Sequence, residues 1–320
     1  MEEQFDEYRY LQERPDVAEA VRAGQFTSGR HHYDLFGRTE ASPSLPEPEV
    51  PASSPADPFG RFEHRRPSPQ TAVDVFQGRW ASDLGPVLGV TGTGSTPLFE
   101  RDGRPFLAAK VLGASERLDG MDVLELGPLE GGHTFQLEQL GARSVTAVEA
   151  SVEAYLKCLV VKETLGLRAR FLLGDVLEHL AGVAAESRRF EMVFCSGILY
   201  HMADPLALIR AIAEITDRCF VWTHYFDPEN HRLEHSGRGH TVGGYKATYW
   251  SHVYGDKTTA FWGGNRPSAA WLEREALLDA FQHFGFGEIT VLQDDKLYVN
   301  GPNIMFCASK GSPRGERIPA

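Results

Sequence analysis

The chain has 320 residues, 42% of them hydrophobic and 24% charged, a balance that supports a sizeable packed core. Its formal net charge of -12 gives no general attraction for nucleic acid or an anionic membrane, because phosphate binding runs on Lys and Arg. No run approaches the ~18 apolar residues of a membrane span, and the acidic start MEEQFDEYRY lacks the apolar stretch of a signal peptide.

The first 40 residues read as a small helical unit. Pro15 and Asp16 suit a first helical turn, and Val17, Ala20 and Val21 make an apolar stripe. Residues 41–70 read as a linker, crowded with prolines and poor in core residues. Arg61, Arg65 and Arg66 form the densest basic patch, and it falls in this stretch.

From residue 71 a globular pattern runs nearly to the end. MDVLEL (121–126) reads as a buried strand, followed by glycines and a helical run, Thr134–Leu140. SVTAVEA (144–150) predicts a second strand, Val152–Leu165 a helix, and ARFLLGDV (169–176) a third strand. Phe190–Cys195, helix Pro205–Ile215 and strand Arg218–Tyr225 follow. Ser268–Phe284 reads as a helix with Ser268 as its N-cap. Glu288–Leu292 and Asn303–Ser309 read as strands joined too closely for a crossover helix, hence antiparallel. The expected fold is α/β: a doubly wound, Rossmann-like, mostly parallel seven-stranded sheet closed by an antiparallel C-terminal hairpin, plus the helical N-terminal appendage.

The loop after the first strand carries the strongest signal, Glu125-Leu126-Gly127-Pro128-Leu129-Glu130-Gly131-Gly132-His133. Open α/β sheets bind ligands at the carboxyl ends of their strands. Gly127 allows a sharp turn, and Gly131 and Gly132 permit close backbone approach. The spacing is not that of a dinucleotide fingerprint, and Glu125 and Glu130 are wrong for a pyrophosphate. They suit the sulfonium and ammonium of S-adenosylmethionine (SAM). Glu149 ends the second strand, placed for ribose hydroxyls, with Ala150 beside it. Asp175 and Val176 end the third, placed for adenine, although Asp175 also suits a helix N-cap.

ELGPLEGGHT, VEAS, GDV and CSGILYHMADP resemble the successive motifs of class I SAM-dependent methyltransferases over roughly residues 71–310. GILYHMADP and the later NRPSAAWLEREALLDAFQHFGF are similar to the branch of the tRNA uridine-5-oxyacetic acid synthase, a carboxymethyl-transferring relative. That branch typically has two basic residues after its Tyr-His pair, where this chain has Met202 and Ala203. YLQERPDVAEAVRAGQFTSGRHHYDLFGRTE resembles a short module of bacterial glycosyltransferases and surface-associated proteins.

Methyl transfer is an in-line displacement, so alignment and water exclusion matter most. Ser196 and Gly197 are expected to line the cofactor. Tyr200, His201 and His224 are the expected catalytic ring, with His201 and His224 as candidate bases; His201 equally suits a structural role. An aromatic, His-rich insertion at about 226–268 is expected to fold over the site, with Tyr225, Tyr245, Trp250, Tyr254 and Trp262 touching substrate. His231 and His235, near His224, Asp227 and His240, are a weak metal pattern because Gly237 and Gly239 oppose a long helix, and no metal is assigned. Cys158, Cys195, Cys219 and Cys307 form no CxxC pair and read as buried thiols of a cytoplasmic protein. The expected activity is methylation of an O or N atom of a small molecule. A carboxymethyl transferase acting on RNA and a non-catalytic SAM-fold binding protein are the alternatives.

Overall fold

The computed structural model describes residues 5, 7, 10–11, 14–37, 62–100, 102–229, 236–254 and 266–311. The chain divides into two compact units, Met1–Phe62 and Glu63–Ala320.

In the first unit, α1 (Pro15–Arg22) carries Pro at its start, Asp16 in its first turn and Arg22 in its last. These charges complement the helix dipole, and Val17 is buried. The Ser28 hydroxyl accepts from His31 N–H and caps a single turn, Gly29–His32, that continues into Tyr33–Gly37. The Glu7 carboxylate accepts from Gly29 and Arg30 N–H at 2.6 and 2.8 Å. Most of the linker stretch lies outside the described residues.

The second unit is built on strands β1 (Asp122–Leu126), β2 (Ser144–Glu149), β3 (Arg170–Leu173), β4 (Met192–Ser196) and β5 (Arg218–His224). With β9 (Glu288–Asp295) and β10 (Asn303–Ser309) they form a seven-stranded sheet in the order β3-β2-β1-β4-β5-β10-β9. The first five are parallel, and β10 is antiparallel to both β5 and β9. Helices cover both faces, so these strands are apolar nearly throughout. On one face α2 (Arg104–Leu112), α3 (Gly132–Gln139) and α4 (Val152–Leu165) pack on Val123, Phe194 and Phe220. On the other, α5 (Val176–Ala185), α6 (Pro205–Ile215) and α7 (Arg274–His283) pack on Leu124, Leu126, Val193 and Val221. All four cysteines are buried and unpaired. Among the described residues no helix is long and apolar enough to cross a membrane.

The insertion forms a second sheet, β6 (Gly237–Val242), β7 (Tyr245–Val253) and β8 (Ser268–Trp271), all antiparallel. Gly243 and Gly244 turn its hairpin with φ of 53° and 83°, the twist that two-residue hairpins favour. Here the predicted helix Ser268–Phe284 is corrected. Ser268–Trp271 pairs with Trp250–Val253 as a strand, and α7 begins only at Arg274 after Glu273. The pairing outweighs the local helical pattern, as tertiary context commonly does. Ala270 N–H donates to Met202 C=O, and Phe226 N–H to Leu272 C=O, which fastens β8 beside the loop after β4.

Candidate active site

The parallel strands end along one edge of the sheet, at Leu126, Glu149, Ser196 and His224, and β10 starts there at Asn303. Gly127 (φ 70°) and Gly131 (φ 82°) turn the loop from β1 into α3. Pro128 is buried, and its carbonyl accepts from Gly131 N–H at 2.9 Å. Glu149 accepts from Leu129 N–H at 3.1 Å and from Ser151 N–H at 2.8 Å, tying this loop to the end of β2. Burial raises its pKa despite those bonds.

Glu125 lies beneath the loop, fully buried. The Thr134 hydroxyl donates to Oε2, whereas Oε1 has no partner among the described residues. Burial first, then the charge of Glu149, pushes its pKa from 4.5 to about 8. Two acids held above their ordinary range under one loop gain from a nearby cation. The orphaned Oε1 therefore fits the cationic methionine end of SAM, as the sequence suggests.

Of the other residues expected at the cofactor, Glu130 needs correction. Glu130 is sealed in the interior, where it accepts from Ala81 and Ser82 N–H and pairs with buried Lys157 at 2.9 Å. It fastens the leading segment to the loop and has no acceptor atom to spare for a cofactor. A Cβ on Gly132 would meet Leu98 at 3.0 Å, so that glycine admits protein backbone, not ligand. The ring of His133 turns to Asp102, with Nε2 at 3.0 Å from the carboxylate. Asp175 accepts from Leu177 and Glu178 N–H through Oδ1, the N-cap role, and Val176 packs into the core with Leu180. Ala150 is exposed beside Glu149.

Sequence reading missed Asp102 and Arg104. The Arg104 guanidinium is bound by the Asp102 carboxylate at 2.8 and 3.0 Å, donates to Ser196 Oγ at 3.0 Å, and lies 4.8 Å from the Trp222 ring centroid. Burial opposes the charge on Asp102, but Arg104 and His133 outweigh it and hold that carboxyl below its ordinary range. Burial, then Arg104, lowers the His133 pKa. The only local signal was Pro105 in a first helical turn after Asp-Gly-Arg.

Gly197 (φ 85°) lets the chain leave β4, its N–H donating to Trp222 C=O. The next turn brings Tyr200 against His201 and His224, with ring centroids 4.1 and 4.7 Å away. The predicted catalytic trio is thus one cluster. Tyr200 is pushed up to about 12, chiefly by burial. Burial, then His224 and His252, lowers His201 to about 4, so it is neutral at pH 7 and a weak base. Its Nδ1 meets Tyr254 Oη at 2.6 Å, a positioning contact. His224 Nδ1 lies 3.1 Å from the carbonyls of Gly301 and Pro302. Carbonyls only accept, so Nδ1 carries a proton toward them. Trp271 stacks on both His224 and His252, at 5.5 and 4.4 Å.

Of the expected substrate contacts, Tyr254 reaches this cluster. Trp250 stands behind it, stacked on Phe226 at 4.1 Å with Nε1 donating to Glu273. Tyr225 is corrected: it packs in the opposite core, its hydroxyl donating to Asp294 at 2.9 Å. Tyr245 is corrected too, because its hydroxyl donates to Ala276 C=O and its ring packs on His283. Trp262, His231 and His235 lie outside the described residues, and His240 is exposed on β6. Among the described residues no group of three or more His, Cys, Asp or Glu is placed to hold a metal.

Sheet order, glycine loop and strand-end acids resemble those of class I SAM-dependent methyltransferases. In agreement, residues 124–218, from β1 to the start of β5, match a family model described as a methyltransferase domain. The N-terminal domain of EvdMO1, solved with S-adenosylhomocysteine (SAH) bound, superposes with a TM-score of 0.57 at 24% identity. That match covers 76% of this chain and 95% of the domain.

Within the class, the chain is similar to tRNA U34 carboxymethyltransferases. It is 25% identical to that of Campylobacter concisus over 135 residues, 40% of this chain and 44% of the relative. It is 31% identical to that of Methylococcus capsulatus over 93 residues, 29% of this chain and 28% of the relative. The chain spans less than half the length of these curated relatives.

Proposed function

We propose that this protein transfers a methyl group from SAM to an oxygen or nitrogen atom of a small-molecule acceptor. The observation that carries the reading is the aromatic and imidazole cluster of Tyr200, His224 and Trp271 beside the acid-lined cofactor loop. When bound, SAM supplies a methyl carbon already activated by its sulfonium. Glu149 and Asp175 would hold the nucleoside, and Glu125 the cationic end. His224 Nε2 would take the acceptor's proton while Nδ1 stays anchored to two carbonyls. Tyr200, Trp222 and Trp271 would exclude water and hold the acceptor in line. The EvdMO1 domain, also crystallised in the presence of SAH and D-fucose, makes a sugar hydroxyl one acceptor to try.

Calorimetry with SAH tests the cofactor half. Binding by the wild type and its loss in Glu149→Ala is the expected result, and no binding by either ends the reading. Methyl transfer to a panel of sugars, phenols and amines tests the other half.

The names of the curated relatives favour a second reading, carboxymethyl transfer to RNA. Met202 and Ala203, and the charge of -12, weigh against it. Mass spectrometry of the ligand that co-purifies decides: a SAM heavier by a carboxylate supports this reading, plain SAM or SAH the first.

A further inference from the structure

One buried polar side chain is left without a hydrogen bond among the described residues. Asn303 opens β10 with 0% exposure, and neither Oδ1 nor Nδ2 has a hydrogen-bond partner among the described residues. A buried carboxamide left unpaired destabilises a fold that an apolar side chain of equal size would not. Such groups in native proteins call for an explanation.

Its place is specific. The antiparallel register sets Asn303 opposite His224, and Met305 opposite Trp222. Facing residues of an antiparallel pair send their side chains to the same side of the sheet. Asn303 therefore shares a face with His224 and Trp222, the face on which Arg104 lies over Trp222. The two residues before it, Gly301 and Pro302, anchor His224 through their carbonyls. From the same connection Tyr298, 40% exposed, packs on the His224 ring with centroids 5.9 Å apart.

We propose that Asn303 is an acceptor-binding residue, and that the acceptor it selects is a neutral molecule carrying two adjacent hydrogen-bonding groups, as in the vicinal diol of a pyranose. The first group meets His224 and is methylated; the second meets the carboxamide. A hydroxyl both donates and accepts, and a carboxamide offers one atom for each role. A carboxylate or phosphate there would find an acceptor oxygen as well as a donor, and so would be rejected. Burial makes a hydrogen bond at this position strong and its absence costly. This inference rests on the small-molecule methyl-transfer reading and goes beyond it in naming the residue and the acceptor class.

The test uses the full chain loaded with SAH, D-fucose as probe, and the near-isosteric Asn303→Leu. Thermal melting of the unliganded proteins, SAH affinity and D-fucose affinity are measured in parallel. The expected result has three parts: a melting temperature raised by roughly 3 °C or more, unchanged SAH affinity, and D-fucose binding weakened about tenfold or more. Deoxy analogues of D-fucose add a control for folding effects. Removing one hydroxyl should weaken binding to the wild type and make no difference in Asn303→Leu. A less stable Asn303→Leu that binds D-fucose normally would make the carboxamide a structural group, with water as its partner, and overturns the proposal. Wild-type protein that binds SAH but not D-fucose also overturns it, while leaving the methyl-transfer reading intact. Failure to bind SAH at all defeats that reading first.

Discussion

Glu125 is the group whose environment makes the firmest quantitative demand. Its carboxyl is fully buried, bonded on one oxygen only, and pushed from 4.5 to about 8. At neutral pH it therefore keeps its proton in the folded chain and loses it in the unfolded one. Between those two values the folded state binds more protons, so stability falls as pH rises through the window. The contribution is fully present below pH 4.5 and gone above about pH 8. Between pH 5 and pH 8 the loss amounts to about 3–4 kcal/mol, at 1.36 kcal/mol for each pKa unit. Glu125→Gln keeps the shape and cannot ionise. Urea denaturation of both proteins at pH 5 and pH 8 should show the variant gaining about 3–4 kcal/mol on the wild type at the higher pH. SAM binding adds a second arm. A cation that needs the ionised acid should bind the wild type more tightly as pH rises toward 8, by up to about tenfold per unit, and the variant should show no such rise. Parallel stability curves for the two proteins would mean that Glu125 is already ionised at neutral pH, and the reasoning fails.

Three further outcomes follow from named contacts. His224→Ala should lower turnover by about 100- to 10,000-fold with SAH affinity unchanged; a loss confined to KM would remove His224 as the base. If Arg104, which donates to Ser196 at the end of β4, holds the amino-acid end of the cofactor, Arg104→Ala should weaken SAH about tenfold but leave 5′-methylthioadenosine, which lacks that end, unaffected. Equal effects on both would place Arg104 away from that end. Lys157→Met leaves Glu130 buried without its cation and should cost about 3–5 kcal/mol in urea denaturation. A cost below about 1 kcal/mol would show that Glu130 does not depend on the Lys157 cation.

Local chemistry made legible the elements that carry the proposed cofactor residues. Val152–Leu165 is bounded by Ser151 as N-cap and Gly166 in the left-handed region, and Pro205–Ile215 by Asp204 and Pro205, so both helices read correctly to the residue. Gly127, Glu149 and Asp175 stand at strand ends that the hydrophobic pattern alone locates. The proposed acceptor half gathers Tyr200, His224, Tyr254, Trp271 and Asn303 from five separate stretches of chain, and no local spacing announces that meeting. Tyr225 was avoidable. It follows His224 at the end of β5, and successive residues of a strand face opposite sides. A tyrosine beside His224 therefore belongs with Val221 and Thr223 on the other face. Ser268 misled because serine is a good N-cap, while the partner that made it a strand lay in Trp250–Val253. Glu130 misled because a carboxylate in a ligand loop can turn inward as readily as outward, and only the distant Lys157 decides which.

Glu125 and Asn303 share a logic that can be tested in combination. Each is fully buried with an unpaired polar atom, and each lies on the α2–α3 face of the sheet, one on β1 and the other on β10. Strands β4 and β5 separate them. At about 4.8 Å per strand they stand at least roughly 14 Å apart, beyond the ~7–10 Å over which substitutions usually couple. If each is retained for a ligand and neither for the fold, removing both should stabilise the empty protein additively. The double variant Glu125→Gln, Asn303→Leu should therefore exceed the wild type at pH 8 by the sum of the single gains, within about 0.5 kcal/mol. Saturating SAH and acceptor should reverse the order, because ligands stabilise only the protein that binds them. A double variant less stable than the wild type without ligand, at pH 8 in urea, would show that the two side chains serve the core, and the argument from unpaired groups to ligands would fail at both positions together.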